Sequence, residues 1–198
     1  MTRLSLRNVN KKCPNNDMVV KNFSLDIADK EFVVLAGPAG CGKTLLIRMI
    51  AGLEESNSGE IYIDGELVND RETKDRGVAM IFSNYALYPQ MNVYDNIAFA
   101  LKLARIPQEE MDRRIHAIAE FMKIEGLLSR MPEKLSEEET LQAVIARAIV
   151  KEPKVLLMDD PLIRITGENK TTIEHKMAEL KEKLDIPIVY AHRDRKRP

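Results

Sequence analysis

Apolar and polar residues alternate along this chain at two different periods, and the places where the period changes locate its elements. "TRLSLRNV" and "VVKNFSLDIA" alternate residue by residue, as half-buried strands do. "EFVVLAG" is continuously apolar and ends in glycine, which predicts a central strand covered on both faces. "EIYIDGELV" sets Asp64-Gly65 between two strand-like runs and predicts a tight hairpin. "GVAMIF" and "KVLLMDD" read as further buried strands, and "DIPIVYAH" as the last. Between Tyr94 and Val150 the period becomes helical, with breaks at Pro107 and Pro132. "MDRRIHAIAEFM" places Met111, Ile115, Ile118 and Met122 on one helix face, as core. A charged amphipathic helix is expected from about Thr171 to Leu184. Strands alternating with helices predict an α/β fold.

Length and composition narrow the function classes. The 198 residues fit one domain with room for a core. A net charge of −1 gives no global attraction to nucleic acid or anionic lipid. The apolar runs are too short to span a bilayer, and "MTRLSLRNVN" lacks the apolar core of a signal peptide. Cys13 and Cys41 form no metal or disulfide pattern, which predicts a cytosolic setting. His116, His175 and His192 lack metal-ligand spacing, and those on helices are expected on the surface or in packing. The basic end "HRDRKRP" reads as a solvated tail rather than a nucleic-acid site.

One stretch carries specific chemistry. "GPAGCGKT", Gly37 to Thr44, fits G-x-x-x-x-G-K-[ST] between a predicted buried strand and a predicted helix. Gly37, Gly40 and Gly42 let the backbone wrap with its N–H groups inward, and Cys41 contributes its amide. The cradle runs through Pro38 and Ala39 to Leu45, where the helix adds its positive end. Lys43 would reach the β and γ phosphates, and the Thr44 hydroxyl would ligate Mg²⁺. In "VLLMDD", Asp159 emerges at the carboxyl end of a buried strand, placed to hold Mg²⁺ as well. Asp160 is then the candidate water-activating carboxylate.

These residues carry a resemblance. "FVVLAGPAGCGKTLLIRMIAGLEESNSGEIYIDGELVND", "NYALYPQMNVYDNIAFALKL" and "ARAIVKEPKVLLMDDP" make the chain resemble, over nearly all its length, the ATP-binding subunits of ATP-binding cassette (ABC) transporters. Those of maltose-type, sugar and glycerol-phosphate importers resemble it most. The resemblance implies a P-loop NTPase fold, with a RecA-like core, an antiparallel β subdomain and an α-helical subdomain over about residues 88–150, in one nucleotide-binding domain spanning 1–198. It implies ATP and Mg²⁺ as cofactors and a cytoplasmic location, peripheral at the inner face of the membrane. It also implies a dimer sandwiching two ATP molecules, and a groove within 83–103 that accepts a helix of a membrane-embedded permease subunit. Tyr85, Leu87, Tyr88, Tyr94 and Phe99 fit that groove and fit helical core equally well.

Departures from the family pattern fall at ligand-facing positions. Cys13 stands where the family stacks an aromatic ring on adenine, and Ser83 where it has a glutamine. "LSEEE", 135 to 139, replaces L-S-G-G-Q; Asp160 replaces the catalytic glutamate. Ile163 to Thr166, "IRIT", replaces serine-asparagine-leucine-aspartate, and the switch histidine falls on Arg193, with His192 one place early. Aspartate withdraws the carboxylate by about 1.5 Å, and a misplacement of about 1 Å costs on the order of a hundredfold in rate. Glu137 and Glu138 would repel a partner's γ-phosphate and weaken the dimer, since like charges 4 Å apart cost about 4 kcal/mol at a surface-like dielectric. Ser136-x-x-Glu139 is also a capping box, the start a helix prefers when no phosphate docks there. The expectation is impaired hydrolysis; the alternative is a non-hydrolysing P-loop module, degenerate or selected or designed for folding, with weak or no nucleotide binding.

Overall fold

The computed structural model describes residues 4–12, 18–38, 40–165, 178–182 and 184–192. Two compact units emerge, one of Met1–Met80, Lys154–Asp160 and Lys176–Pro198, the other of Ile81–Pro153 and Pro161–His175.

The first unit holds the strands. β1 (Leu4–Lys12), β2 (Met18–Ile27), β4 (Ser58–Ile63) and β5 (Glu66–Leu67) form a sheet in the order β2-β1-β4-β5, with antiparallel pairing throughout. Asp64 and Gly65 both take positive φ, 54° and 75°, as a two-residue hairpin turn requires. The second sheet runs β3-β8-β7-β6, from β3 (Phe32–Leu35), β8 (Ile188–Ala191), β7 (Val155–Asp159) and β6 (Val78–Ile81). β8 lies parallel to both β3 and β7, so their carboxyl ends gather on one side.

α1 (Lys43–Ala51) buries Leu46, Ile47, Met49, Ile50 and Ala51. They join Leu157 and Val189 of the parallel sheet, and Leu4, Leu6, Ile61 and Ile63 of the antiparallel one, in a single apolar core. Burying such side chains stabilises by about 1.5–3 kcal/mol each. Arg76 ties this core to its rim: buried itself, it donates to the carbonyls of Met49 and Ile50 at the end of α1, and to those of Asn69 and Arg71.

The second unit is helical, with α2 (Val93–Leu103), α3 (Gln108–Met122) and α4 (Glu137–Ile149). Pro107 stands at the start of α3 and Pro132 opens a short 3₁₀ turn, so both prolines break helices as their sequence position predicts. The expected helix over 171–184 lies mostly outside the described residues; 178–182 are helical.

Two expectations need correction. Among the described residues β3 has β8 on one side and no strand on the other, and Val34 is 51% exposed. Among the described residues β3 therefore stands at the edge of the order, and at the other end β6 buries Ile81 while Val78, Ala79 and Met80 are half-buried. A continuous apolar run signals a parallel sheet, but strand position in that sheet is set by pairings distant in sequence. On α3 the innermost residues are Met111, Ile115, Ala119 and Met122, while Ile118 is half-buried. The facing position is filled by a side chain too small to mark an apolar stripe.

Candidate functional site

The loop from Gly37 to Gly42 links the end of β3 to α1. Gly37, Gly40 and Gly42 take φ of 152°, 82° and 92°, the region L side chains rarely adopt. At Gly42 the restriction is also steric: a Cβ would lie 2.9 Å from Val20 Cγ2 and 3.0 Å from Val19 Cγ1. α1 begins at Gly42 with no side-chain cap and no acid in its first turn. No acid of the helix's own first turn therefore competes for its positive end.

Lys43 points back over its own loop. Its Nζ donates to the Gly37 carbonyl, to Pro38 O at 2.7 Å and to Cys41 Sγ at 3.3 Å. The Cys41 amide, expected to face a phosphate, is directed at Pro38 O at 3.4 Å. Among the described residues no carboxylate lies within ion-pair distance of Lys43. Carbonyl dipoles thus hold this cation without neutralising it, which suits the site to an anion. Ala39 lies outside the described residues.

β7 delivers the carboxylates. Its Val155, Leu156, Leu157 and Met158 are buried, so the strand is fixed and Asp159 leaves at its carboxyl end. The Thr44 hydroxyl donates to Asp159 Oδ1 at 2.9 Å, joining residues 115 apart in sequence. Two hard oxygen donors side by side beside a phosphate loop fit Mg²⁺, which takes few protein ligands and completes its shell from water and substrate phosphate. Asp160 is 8% exposed, takes φ of 46° and donates its N–H to Ala191 O at 2.9 Å. A non-glycine residue in this region carries backbone strain of order 1–3 kcal/mol, less for aspartate than for most.

Sequence reasoning set His192 one place before the switch position and gave it no role in the site. It directly follows β8, where its N–H donates to Leu35 O at 3.0 Å, and its Nδ1 stands 3.7 Å from Asp160 Oδ1. Its ring stacks on Tyr190 at 6.2 Å between centroids. The signal was its place at the carboxyl end of a strand parallel to β7, which spacing to other histidines could not show. Gly40, Gly42, Lys43, Thr44, Leu45, Asp159, Asp160, Val19, Ala191 and His192 line one hollow of about 180 Å³. Arg193 and Cys13 lie outside the described residues.

Comparison with known proteins places this geometry. The family described as ABC transporter matches residues 20–163, most of the chain. The chain belongs to the ABC transporter family. It is 44% identical over 194 residues to the ABC transporter ATP-binding protein YurJ of Bacillus subtilis, covering 98% of this chain and 53% of that protein. It is 42% identical to the multiple sugar-binding transport ATP-binding protein MsmK of Streptococcus mutans, over 98% of this chain and 52% of the other. For the sn-glycerol-3-phosphate import ATP-binding protein UgpC of Bordetella pertussis the identity is 42%, with coverages of 98% and 54%. The chain thus spans about half the length of these relatives. A solved structure, CbiO1 of Clostridium perfringens, part of the ABC transporter complex CbiONQ, has the same fold, with a TM-score of 0.89 at 23% identity over 96% of this chain and 78% of that one.

The positions where this ABC chain departs from its family pattern include several in the helical unit, and there they make local structure. Ser136 and Glu139 form the expected capping box: Ser136 Oγ accepts the Glu139 N–H at 3.1 Å, and Glu139 Oε2 accepts the Ser136 N–H at 2.8 Å. Glu138 accepts from Gln142 at 3.1 Å, and Glu137 pairs with Arg164 at 2.6 Å. The repulsion expected from Glu137 is therefore partly offset within the chain. Ser83 is half-buried in the same unit. Among the aromatic candidates Tyr85 and Leu87 are buried, whereas Tyr88 is exposed and packs on Phe99 at 4.9 Å. Tyr85 and Leu87 are thus core, while Tyr88 keeps part of its ring at the surface.

Among the described residues no helix is long and apolar enough to cross a membrane, and no group of three or more His, Cys, Asp or Glu could hold a metal.

Proposed function

We propose that this chain is the nucleotide-binding domain of an ABC-type importer, binding Mg-ATP in the hollow between Gly37 and Leu45, Asp159, Asp160 and His192. The observation that carries this is the contact between Thr44 and Asp159, which joins the phosphate loop to the β7 carboxylates at 2.9 Å. Backbone N–H groups of Gly37, Ala39, Gly40, Cys41, Gly42, Lys43, Thr44 and Leu45 would seat the phosphates, with Pro38, which has no N–H, shaping the turn, once Lys43 moves from its loop carbonyls to the anion. Thr44 and Asp159 would hold Mg²⁺, which neutralises charge on the β and γ phosphates. Asp160 would take a proton from the water that attacks the γ-phosphorus as the bond to the ADP oxygen breaks. His192, beside Asp160, would orient that water and donate to the γ-phosphate oxygens.

Turnover would be slow. Asp160 is a methylene shorter than the family's glutamate, and Ser83 lacks the reach of the family's glutamine. Nucleotide selectivity would be loose without an aromatic ring at Cys13. The Tyr88–Phe99 face and exposed Leu103 would meet a short helix of a membrane-embedded permease subunit, holding the domain at the inner face of the membrane. The relatives named for sugar transport and glycerol-phosphate import support a small polar solute. A homodimer would be weak, because α4 presents Glu137 and Glu138 where phosphate should dock.

Mg-ATP binding and phosphate release, measured on this chain and on Asp160→Asn, test the reading: binding in both, with slow release only in the parent chain, is expected. Release at a family-like rate contradicts the impairment. The second reading, a P-loop module that does not hydrolyse, draws on the Lys43 ammonium being held by Gly37 and Pro38; binding without any release would favour it.

A further inference from the structure

In the helical unit, side chains hold the carbonyls of Tyr85, Ala86, Tyr88 and Met91 in the loop that precedes α2. Asn96, fully buried, accepts the Tyr88 N–H at 2.7 Å and donates to the carbonyls of Tyr88, Met91 and Asn92. Arg147 donates to Ala86 O at 2.8 Å, and its guanidinium lies 5.3 Å from the centre of the Tyr88 ring. Arg164, from the 3₁₀ turn Pro161–Arg164, grips the other end of the loop. Its Nη1 donates to Tyr85 O at 3.0 Å, and its guanidinium lies 5.0 Å from the centre of the Tyr85 ring. Its Nη2 meets Glu137 Oε1 at 2.6 Å, at the first residue of α4. The Tyr85 hydroxyl stands 3.5 Å from the other Glu137 oxygen.

We propose that Arg164 is a positioning residue that latches the Tyr85–Tyr88 loop to the first turn of α4 through its ion pair with Glu137. A loop, a helix start and a turn, remote from one another in sequence, meet on one guanidinium. An isolated pair this exposed, 41% and 51%, would do little. Here the same planar fork also donates to a carbonyl and covers an aromatic face, so its rotamer is fixed before the carboxylate binds. Burial first, and the Glu137 charge second, push the Tyr85 phenol up to about 12; a phenol is protonated at neutral pH with or without that shift, and so can donate towards Glu137. Glu137 and Arg164 stand where the family pattern has glycine and asparagine, so two separate departures become one paired feature. The latch also sets the attitude of Tyr88 against Phe99. That consequence rests on the docking role proposed above; the latch itself does not.

Amide hydrogen exchange on the full chain, without nucleotide or partner, tests it. Arg164→Met should speed exchange over 84–88 and 137–140 by about tenfold, while α1 and β7 stay within about twofold. Glu137→Gln should speed the same segments less, because the carbonyl bond and ring contact survive. Arg164→Lys, with charge but no fork, should fall between Arg164→Met and the parent. Salt at about 1 M, which weakens a charge pair this exposed, should move the parent part of the way towards Glu137→Gln and leave that variant unchanged. A merely space-filling Arg164 would give neither the salt response nor an effect of Glu137→Gln. Exchange in Glu137→Gln indistinguishable from the parent in both segments overturns the proposal, as does a uniform loss of protection along the chain. If Arg164→Met fails to fold, Glu137→Gln at low and high salt decides alone.

Discussion

The starts of α1 and α4 are two helix N-termini built for opposite ends. α1 opens from left-handed Gly42, without a side-chain cap, with no acid in its first turn and with Lys43 as its first residue. α4 opens from Ser136 with both capping-box bonds made and Glu137, Glu138 and Glu139 in its first turn. Both expose backbone N–H groups and a positive dipole end. In α4 the Ser136 hydroxyl caps the Glu139 N–H and three glutamates complement the dipole, which stabilises the helix and opposes an anion there. In α1 the N–H groups and dipole end are left open, which costs local stability and makes an anion site. A helix start becomes a phosphate cradle by what is withheld from it as much as by what is supplied.

The comparison breaks most severely if an acid is placed where α1 withholds one. Thr44→Glu should lower Mg-ATP affinity by on the order of a thousandfold, since like charges 4 Å apart cost about 4 kcal/mol at a surface-like dielectric. Titration calorimetry reads the loss directly, and circular dichroism should show the helix retained. Gly42→Ala is next: the left-handed backbone and the contact with Val20 should cost about 2–3 kcal/mol in denaturant unfolding.

Opening α4 is the converse experiment. Glu137→Gly, Glu138→Gly and Glu139→Gln, combined with Asp160→Glu and Ser83→Gln, should raise phosphate release by about a hundredfold. They should also lower stability by about 2 kcal/mol, through glycine propensity and lost dipole and capping terms. Ser136→Ala alone should cost about 1 kcal/mol, seen as a lower melting temperature. The smallest effect concerns pH. Arg113 and then Arg114 hold the Glu110 carboxyl down to about 2, from an ordinary value of 4.5. A depressed carboxyl contributes stability above its unfolded value and loses it as pH falls through the folded one. Melting temperature should therefore decline more from pH 4.5 to 2 in the parent than in Glu110→Gln.

What was legible in the sequence was local. The Asp64-Gly65 turn, the capping box at Ser136 and the breaks at Pro107 and Pro132 depend on a few neighbouring residues, and each stands where its pattern placed it. The fold class was legible too, because the strand and helix periods are clear. What needed coordinates was non-local. The edge position of β3 follows from its pairing with β8, more than 150 residues later. His192 reaches Asp160 because β8 lies beside β7. The Glu137–Arg164 pair joins two changes that look unrelated along the chain. Of the candidate site, the residue types were readable, but not that Lys43 and the Cys41 amide turn to carbonyls of their own loop.

The central claim is that the open start of α1 seats a triphosphate. Calorimetric titration of Mg-ATP into this chain and into Lys43→Ala tests it most directly. The account predicts a saturable heat for the parent that disappears in the variant. No heat from the parent, or the same heat from both, would contradict it.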